Sequence, residues 1–198
     1  MKHKSVRGFV VSLFIAFSAN LAGAAISFDN ASCTSSSTDG PTLSWPHTIG
    51  SGANRMLIVG VGAEDSAESD LVINSVKYNG VDMTLVSGST SIVGTTKRKT
   101  ELYYMLDSSL PSAGTYTVTV TYAGNIDNKN AGAVSLTGVA QTAREAVATN
   151  SNTEQNTIST NITTLTDGAW VVNVIVSALN NTFTPTGSGM AERWDVMA

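Results

Sequence analysis

The chain has 198 residues, 42% of them hydrophobic and only 13% charged, with 11 Lys/Arg against 15 Asp/Glu and a formal net charge of −4. A surface of that sign, with no basic cluster beyond Lys97-Arg98-Lys99, repels a phosphate backbone and excludes nucleic acid as a partner. The single cysteine, Cys33, excludes an internal disulfide.

The N-terminus reads as a leader. Lys2, Lys4 and Arg7 form a basic head, Gly8 to Phe17 an apolar run, and Ala22-Gly23-Ala24 an A-x-A site. That order is the pattern of a secretory signal peptide, residues 1–24, cut after Ala24 or Ala25. A spanning helix needs roughly 20 apolar residues, and Asn20 interrupts this run early. A prepilin leader would place an acid where Leu13 stands. Removal of the leader leaves eight basic against fifteen acidic residues, a formal charge of about −7. The expected localisation is secreted or at the cell surface, with no transmembrane span in the mature chain. The remaining 25–198 is long enough for one sizeable core, so one domain is expected.

Strands are predicted along the rest of the chain. The first is Ile26 to Asp29, and Cys33 follows in "ASCTSSSTDG", which reads as a polar loop with a spare thiol. Thr42 to Thr48 and Arg55 to Ala63 come next. The stretch Met56 to Asp65, "MLIVGVGAED", has the outline of a nucleotide-binding turn. A dinucleotide fingerprint, however, needs a helix whose N-terminal amides face the pyrophosphate. Here Asp65 stands where the third glycine belongs, Glu64 repels phosphate, and a hairpin follows instead of a helix. The run is therefore a buried central strand, in which Gly60 and Gly62 make room for a bulky neighbour such as Trp170.

Leu71 to Val86 contains Tyr78-Asn79-Gly80-Val81. Asn and Gly tolerate the positive φ that both central residues of a type I′ turn require, so a hairpin is predicted there. Lys97 to Leu106 is the next strand. In Thr115 to Tyr122, "TYTVTVTY", apolar and threonine side chains alternate strictly, as in a half-buried antiparallel strand. Gly132 to Thr137, Thr157 to Thr163, Ala169 to Leu179 and Glu192 to Met197 complete the strands, while Gln141 to Ala148 reads as a short turn of helix. Gly187-Ser188-Gly189 is a turn, and Trp170 belongs to the core. Many short strands separated by turn clusters, with no amphipathic helix of three turns, give an all-β, antiparallel β-sandwich, immunoglobulin-like or jelly-roll-like.

In order along the chain, "LSWPHTIGSGANRMLIVGVGAED", "INSVKYNGVDMTLV", "ELYYML", "AGAVSLTGV" and "GSGMAERWD" resemble a sandwich domain of poorly characterised exported bacterial proteins, which occurs beside immunoglobulin-like and other surface modules. The resemblance covers nearly all of the mature chain and carries no catalytic residue with it. It implies one or two further strands after "ERWDVMA", so that the chain reads as a fragment cut before its last core strand.

No catalytic constellation is evident. The mature chain's one histidine, His47, would have to serve a Ser-His-Asp triad, and no nucleophile elbow accompanies it. One His and one Cys cannot supply zinc's usual ligand set. Glu101, Glu192 and Asp195 are the acids to weigh for a glycosidase pair, which requires two carboxylates at a defined separation. Glu64, Asp65, Glu68 and Asp70 form the densest acidic run and are the candidate ligands for Ca²⁺, a hard ion that takes six to eight oxygens. Trp45, Tyr103 and Trp194, with Tyr78 and Tyr104 beside them, are the candidates for a glycan-stacking platform. The expected function is a non-catalytic, exported module with a structural or adhesive role, whose partners are surface glycans or other surface proteins. The alternatives are a carbohydrate-binding module of a larger extracellular protein and a carboxylate-dependent glycoside hydrolase.

Overall fold

The structure, a computed structural model, describes residues 10–17, 25–65, 71–93, 97–142, 144–152, 157–177, 184 and 189–196. Among them are thirteen strands: β1 Val10–Phe17, β2 Ser27–Ser36, β3 Gly40–Ile49, β4 Met56–Asp65, β5 Ile73–Tyr78, β6 Val81–Asp82, β7 Thr84–Leu85, β8 Ser91–Val93, β9 Lys97–Leu106, β10 Gly114–Ile126, β11 Asn128–Thr137, β12 Ala146–Asn152 and β13 Trp170–Ser177. One 3₁₀ turn, Asp107–Ser109, follows β9, and no α-helix occurs among the described residues. The fold is all-β and sandwich-like.

Three antiparallel sheets have the orders β3-β10-β5-β6, β2-β11-β4-β9-β7 with β8 also on β9, and β12-β1-β13. The second sheet is central and supplies side chains to two cores. On one face Leu57, Val59 and Val61 of β4 and Tyr103 and Met105 of β9 meet Trp45, Tyr78, Val118 and Val120 of the first sheet. On the other, Met56 and Ile58 of β4 and Leu102 of β9 meet Ile15, Phe17 and Val174 of the third. This explains why β4 is apolar at nearly every position. A strand covered on both sides loses the alternation that β10 keeps, since β10 has only one covered face.

Local chemistry fixes the turns. Asn79 and Gly80 adopt φ of 51° and 78°, and the β5–β6 hairpin closes there as their sequence requires. Gly60 and Gly62 do make room, but for Val174 and Val176 of β13 rather than for Trp170. A Cβ on Gly60 would lie 3.0 Å from the Cβ of Val174, and one on Gly62 would overlap Val176 and Asn130. Trp170 packs on the same core at the start of β13. Gly132, opposite Gly60 in the ladder, is the third bare position, and the Trp194 indole lies over it. Substituting Gly60→Val is expected to cost about 1–3 kcal/mol by overpacking. Val174→Ala in the same chain should recover part of that loss, a coupling measurable by a urea-unfolding double-mutant cycle.

Several sequence expectations are corrected. The polar loop around Cys33 is the edge strand β2, whose backbone ladder with β11 holds it despite its polar side chains, and Cys33 stands opposite Gly132. A bulge in that ladder leaves Asp29 as the extra residue between Phe28 and Asn30. The described residues of Gln141 to Ala148 show no helical turn, and its last three residues start β12. Thr157 to Thr163 is irregular, as is 192–196, where Trp194 is held by side-chain packing on Gly132 instead of a strand ladder. Separately from these corrections, Val10 to Phe17, inside the apolar run Gly8 to Phe17 of the expected leader, forms the middle strand of the third sheet. The leader's basic head, its cleavage site at Ala22 to Ala24, Gly187-Ser188 and Met197 lie outside the described residues.

Candidate functional site

Two clusters of polar side chains sit inside this fold. The first lies where the edge strands β2 and β3 come together. Ser32 Oγ is 2.8 Å from His47 Nδ1 and accepts a hydrogen bond from Trp45 Nε1 at 3.0 Å. Tyr78 caps the group, its hydroxyl donating to the His47 carbonyl at 3.1 Å and its ring meeting the imidazole edge-on. Asp29, turned inward by the bulge, accepts from the Gly50 amide at 2.8 Å and from Ser135 Oγ at 2.7 Å. Alternation alone places Trp45 and His47 on the inner face of β3, and the ladder with β11 sets Ser32 beside them.

His47 is 1% exposed, and its Nε2 is buried without a hydrogen-bond partner. Burial pulls the imidazole pKa down to about 4, opposed by the negative charge of Asp29. Ser32 and His47 thus form the hydroxyl–imidazole contact that a nucleophilic dyad requires, yet the imidazole is enclosed. Burial, followed by the charge of neighbouring Tyr116, raises the Tyr78 hydroxyl to about 12.

The second cluster is at the opposite end of the first core. Glu101, 5% exposed, forms an ion pair with Lys99 at 2.8 Å and accepts from Tyr103 Oη at 2.6 Å and Thr90 Oγ1 at 3.0 Å. Lys99 also donates to the Leu71 carbonyl at 3.0 Å. The Tyr122 hydroxyl, buried beside them without a hydrogen-bond partner, is raised in pKa by burial first and by the Glu101 charge second. Burial likewise raises Tyr103, and its hydrogen bond to Glu101 adds to the effect. Nearby, Arg98 binds Glu64 through two bonds of 2.9 and 2.8 Å. Lys129 donates to the carbonyls of Ile126 at 2.6 Å and Thr38 at 2.7 Å. Burial lowers the Lys129 pKa, while Asp39, Asp127 and Asp65 act to raise it. Two carbonyl oxygens and surrounding carboxylates are the donor types that a hard cation takes, and here the Lys129 ammonium fills that place.

The sequence candidates are distributed as follows. Of the four proposed Ca²⁺ ligands, Glu64 is engaged by Arg98, Asp65 is buried near Lys129, and Glu68 and Asp70 lie outside the described residues. Among the described residues, no group of three or more His, Cys, Asp or Glu side chains is placed to hold a metal ion. Trp45 and Tyr103 are packed in the first core, 5% and 6% exposed, so neither ring offers a face to a sugar. Trp194 is half-buried over Gly132, and next to it the Arg193 guanidinium lies 4.0 Å from the Phe28 ring centre. Of the acids weighed for a glycosidase pair, Glu101 is kept apart from the other two. Glu101 bonds to Tyr103 on one face of the central sheet, whereas Glu192 and Asp195 flank Trp194, which packs on the other. Cys33 is a free thiol, its pKa raised by burial and then by Asp195, so it stays protonated at neutral pH.

Both clusters escape a reading of the sequence. Ser32 and His47 are fifteen residues apart on strands of different sheets, and the basic cluster Lys97-Arg98-Lys99 gives no local sign that Arg98 and Lys99 are buried and paired. The only advance signal is charge inside an otherwise apolar strand, as at Glu101. Among the described residues, no helix is long and apolar enough to cross a membrane. No family model matches the chain, and no curated protein or solved structure matches it.

Proposed function

We propose that this chain is an exported, non-catalytic β-sandwich module, immunoglobulin-like or jelly-roll-like, of the kind carried by exported bacterial proteins, with a structural or adhesive role at the cell surface or outside. The observation that carries the reading is the state of the reactive groups. Glu101 has both carboxylate oxygens taken by Lys99, Thr90 and Tyr103, and His47 is enclosed and neutral. The Ser32–His47 contact ties the first sheet to the second, the Glu101 bonds brace β9 within the second, and neither group faces solvent. The leader pattern of residues 1–24 supports export. Partners are other surface proteins or surface glycans.

A carbohydrate-binding module is the second reading, favoured by the half-exposed Trp194 beside the stacked Arg193 and Phe28. The two readings separate in one pair of measurements. An adhesive module coupled to beads retains bacterial cells and gives no signal on a glycan array. A glycan binder gives array signal that falls about tenfold or more in Trp194→Ala, the loss of one aromatic contact. Beads that retain nothing, together with a blank array, would remove both.

A further inference from the structure

The middle strand of the third sheet is made by the segment that the sequence marks for removal. β1 is hydrogen-bonded along its whole length on both sides, Val10 to Ala16 against Asn152 to Ala146, and Val10 to Phe17 against Ser177 to Trp170. Both ladders are antiparallel and unbroken, so β12 and β13 run parallel to each other one strand apart. Without β1, that gap spans two inter-strand spacings, roughly 10 Å.

The gap is specific about what fills it. Ile15 and Phe17 are fully buried and belong to the second core with Val147, Val172 and Val174 on the walls and Met56, Ile58 and Leu102 on the floor. Directly paired residues share a face, so Ile15, Val147 and Val172 stand side by side over the central sheet. Neither Ala146–Asn152 nor Trp170–Ser177 contains a charged residue, a proline or a glycine. Natural sheet edges are normally guarded by such residues, so neither wall carries a guard that would keep an incoming strand out of the gap. An empty gap would expose two rows of backbone donors and acceptors and the apolar floor between them.

We propose that the gap between β12 and β13 is a strand-accepting groove. Once residues 10–17 have left it, it takes an extended, uncharged segment of another polypeptide, antiparallel to both walls, with apolar side chains at the two positions of Ile15 and Phe17. This rests on the export reading for the event that empties the groove, and on the observed ladders for what then enters. Main-chain hydrogen bonds supply affinity, and the alternating side-chain sites supply selectivity. Before processing, the leader fills the groove within its own chain.

The test uses the full chain with a protease recognition sequence inserted between Phe17 and Ala25. The folded protein is cut, and a fluorescent synthetic peptide with the sequence of residues 8–17, carrying a solubilising lysine tail, is added. The expected result is uptake of one peptide per chain with release of the cut fragment. A peptide with Ile15→Asp and Phe17→Asp should bind about tenfold more weakly or worse, because it would bury unpaired carboxylates. Absence of uptake, whether the cut fragment is kept or lost, would overturn the proposal, as would equal uptake of the Asp-substituted peptide. Processing is read separately, by N-terminal sequencing of the chain recovered outside the cell. An intact N-terminus there would refute the export step, while specific peptide uptake would still establish the groove.

Discussion

Replacing Glu101 by alanine is expected to lower the unfolding free energy by about 3–5 kcal/mol, the usual cost of leaving one member of a buried ion pair unpaired. Lys99 would keep its charge in a site where its remaining partner is the Leu71 carbonyl, at 3.0 Å. The Tyr103 hydroxyl would lose its 2.6 Å acceptor at the same time. Urea unfolding at pH 7 reads the effect directly as a lower midpoint. The double variant Glu101→Leu/Lys99→Met should recover most of the loss, because apolar replacement of a whole buried pair is often neutral or stabilising. The recovery stays incomplete, since the Tyr103 hydroxyl would be left buried without its acceptor. A Glu101→Ala variant within 1 kcal/mol of the parent would show that water reaches Lys99 and that this end of the core is open.

Acid should weaken the fold through His47. The unfolded imidazole titrates near 6.5 and the folded one near 4, so between those values the unfolded state holds more protons. Stability is therefore complete above pH 6.5 and declines as pH falls toward 4, by about 1.4 kcal/mol per pH unit at most. The whole window is worth on the order of 3 kcal/mol, and less if the imidazole moves outward as it charges. A His47→Gln variant keeps a polar group within reach of Ser32 and carries no titrating proton. Its stability between pH 7 and 4.5 should be flatter than the parent's. Parallel pH profiles for the two chains would show that other groups govern the acid response. The two chains differ only at residue 47, so the difference between the profiles reads the imidazole and its immediate surroundings.

The clearest signals in the sequence were those whose cause lies within a few residues. Asn79-Gly80 specifies its hairpin because only residues that tolerate positive φ close such a turn, and the alternation of Thr115 to Tyr122 specifies a strand with one covered face. The unbroken apolarity of Met56 to Val61 marks a strand covered on both faces. Misreadings arose where pairing with a distant strand outweighed composition. β2 is polar enough to resemble a loop and is held by β11. The bare glycines of β4 announced a close neighbour, but only the packing of β13 identified it as Val174 and Val176. The ion pairs of Arg98 and Lys99 with Glu64 and Glu101 are recognisable only after the central sheet is assembled.

The sequence alone determined the strand-rich class, the hairpin at residue 80 and the central place of β4, since periodicity and turn chemistry are short-range properties. Tertiary structure decided that a third sheet exists, that Val10 to Phe17 lies at its centre, and that Trp45 and Tyr103 are core while Trp194 rests on Gly132. The physical reason is that a β-ladder joins residues far apart in the chain. Which backbone meets which is settled by the total burial of both faces, a quantity that no short window of sequence contains.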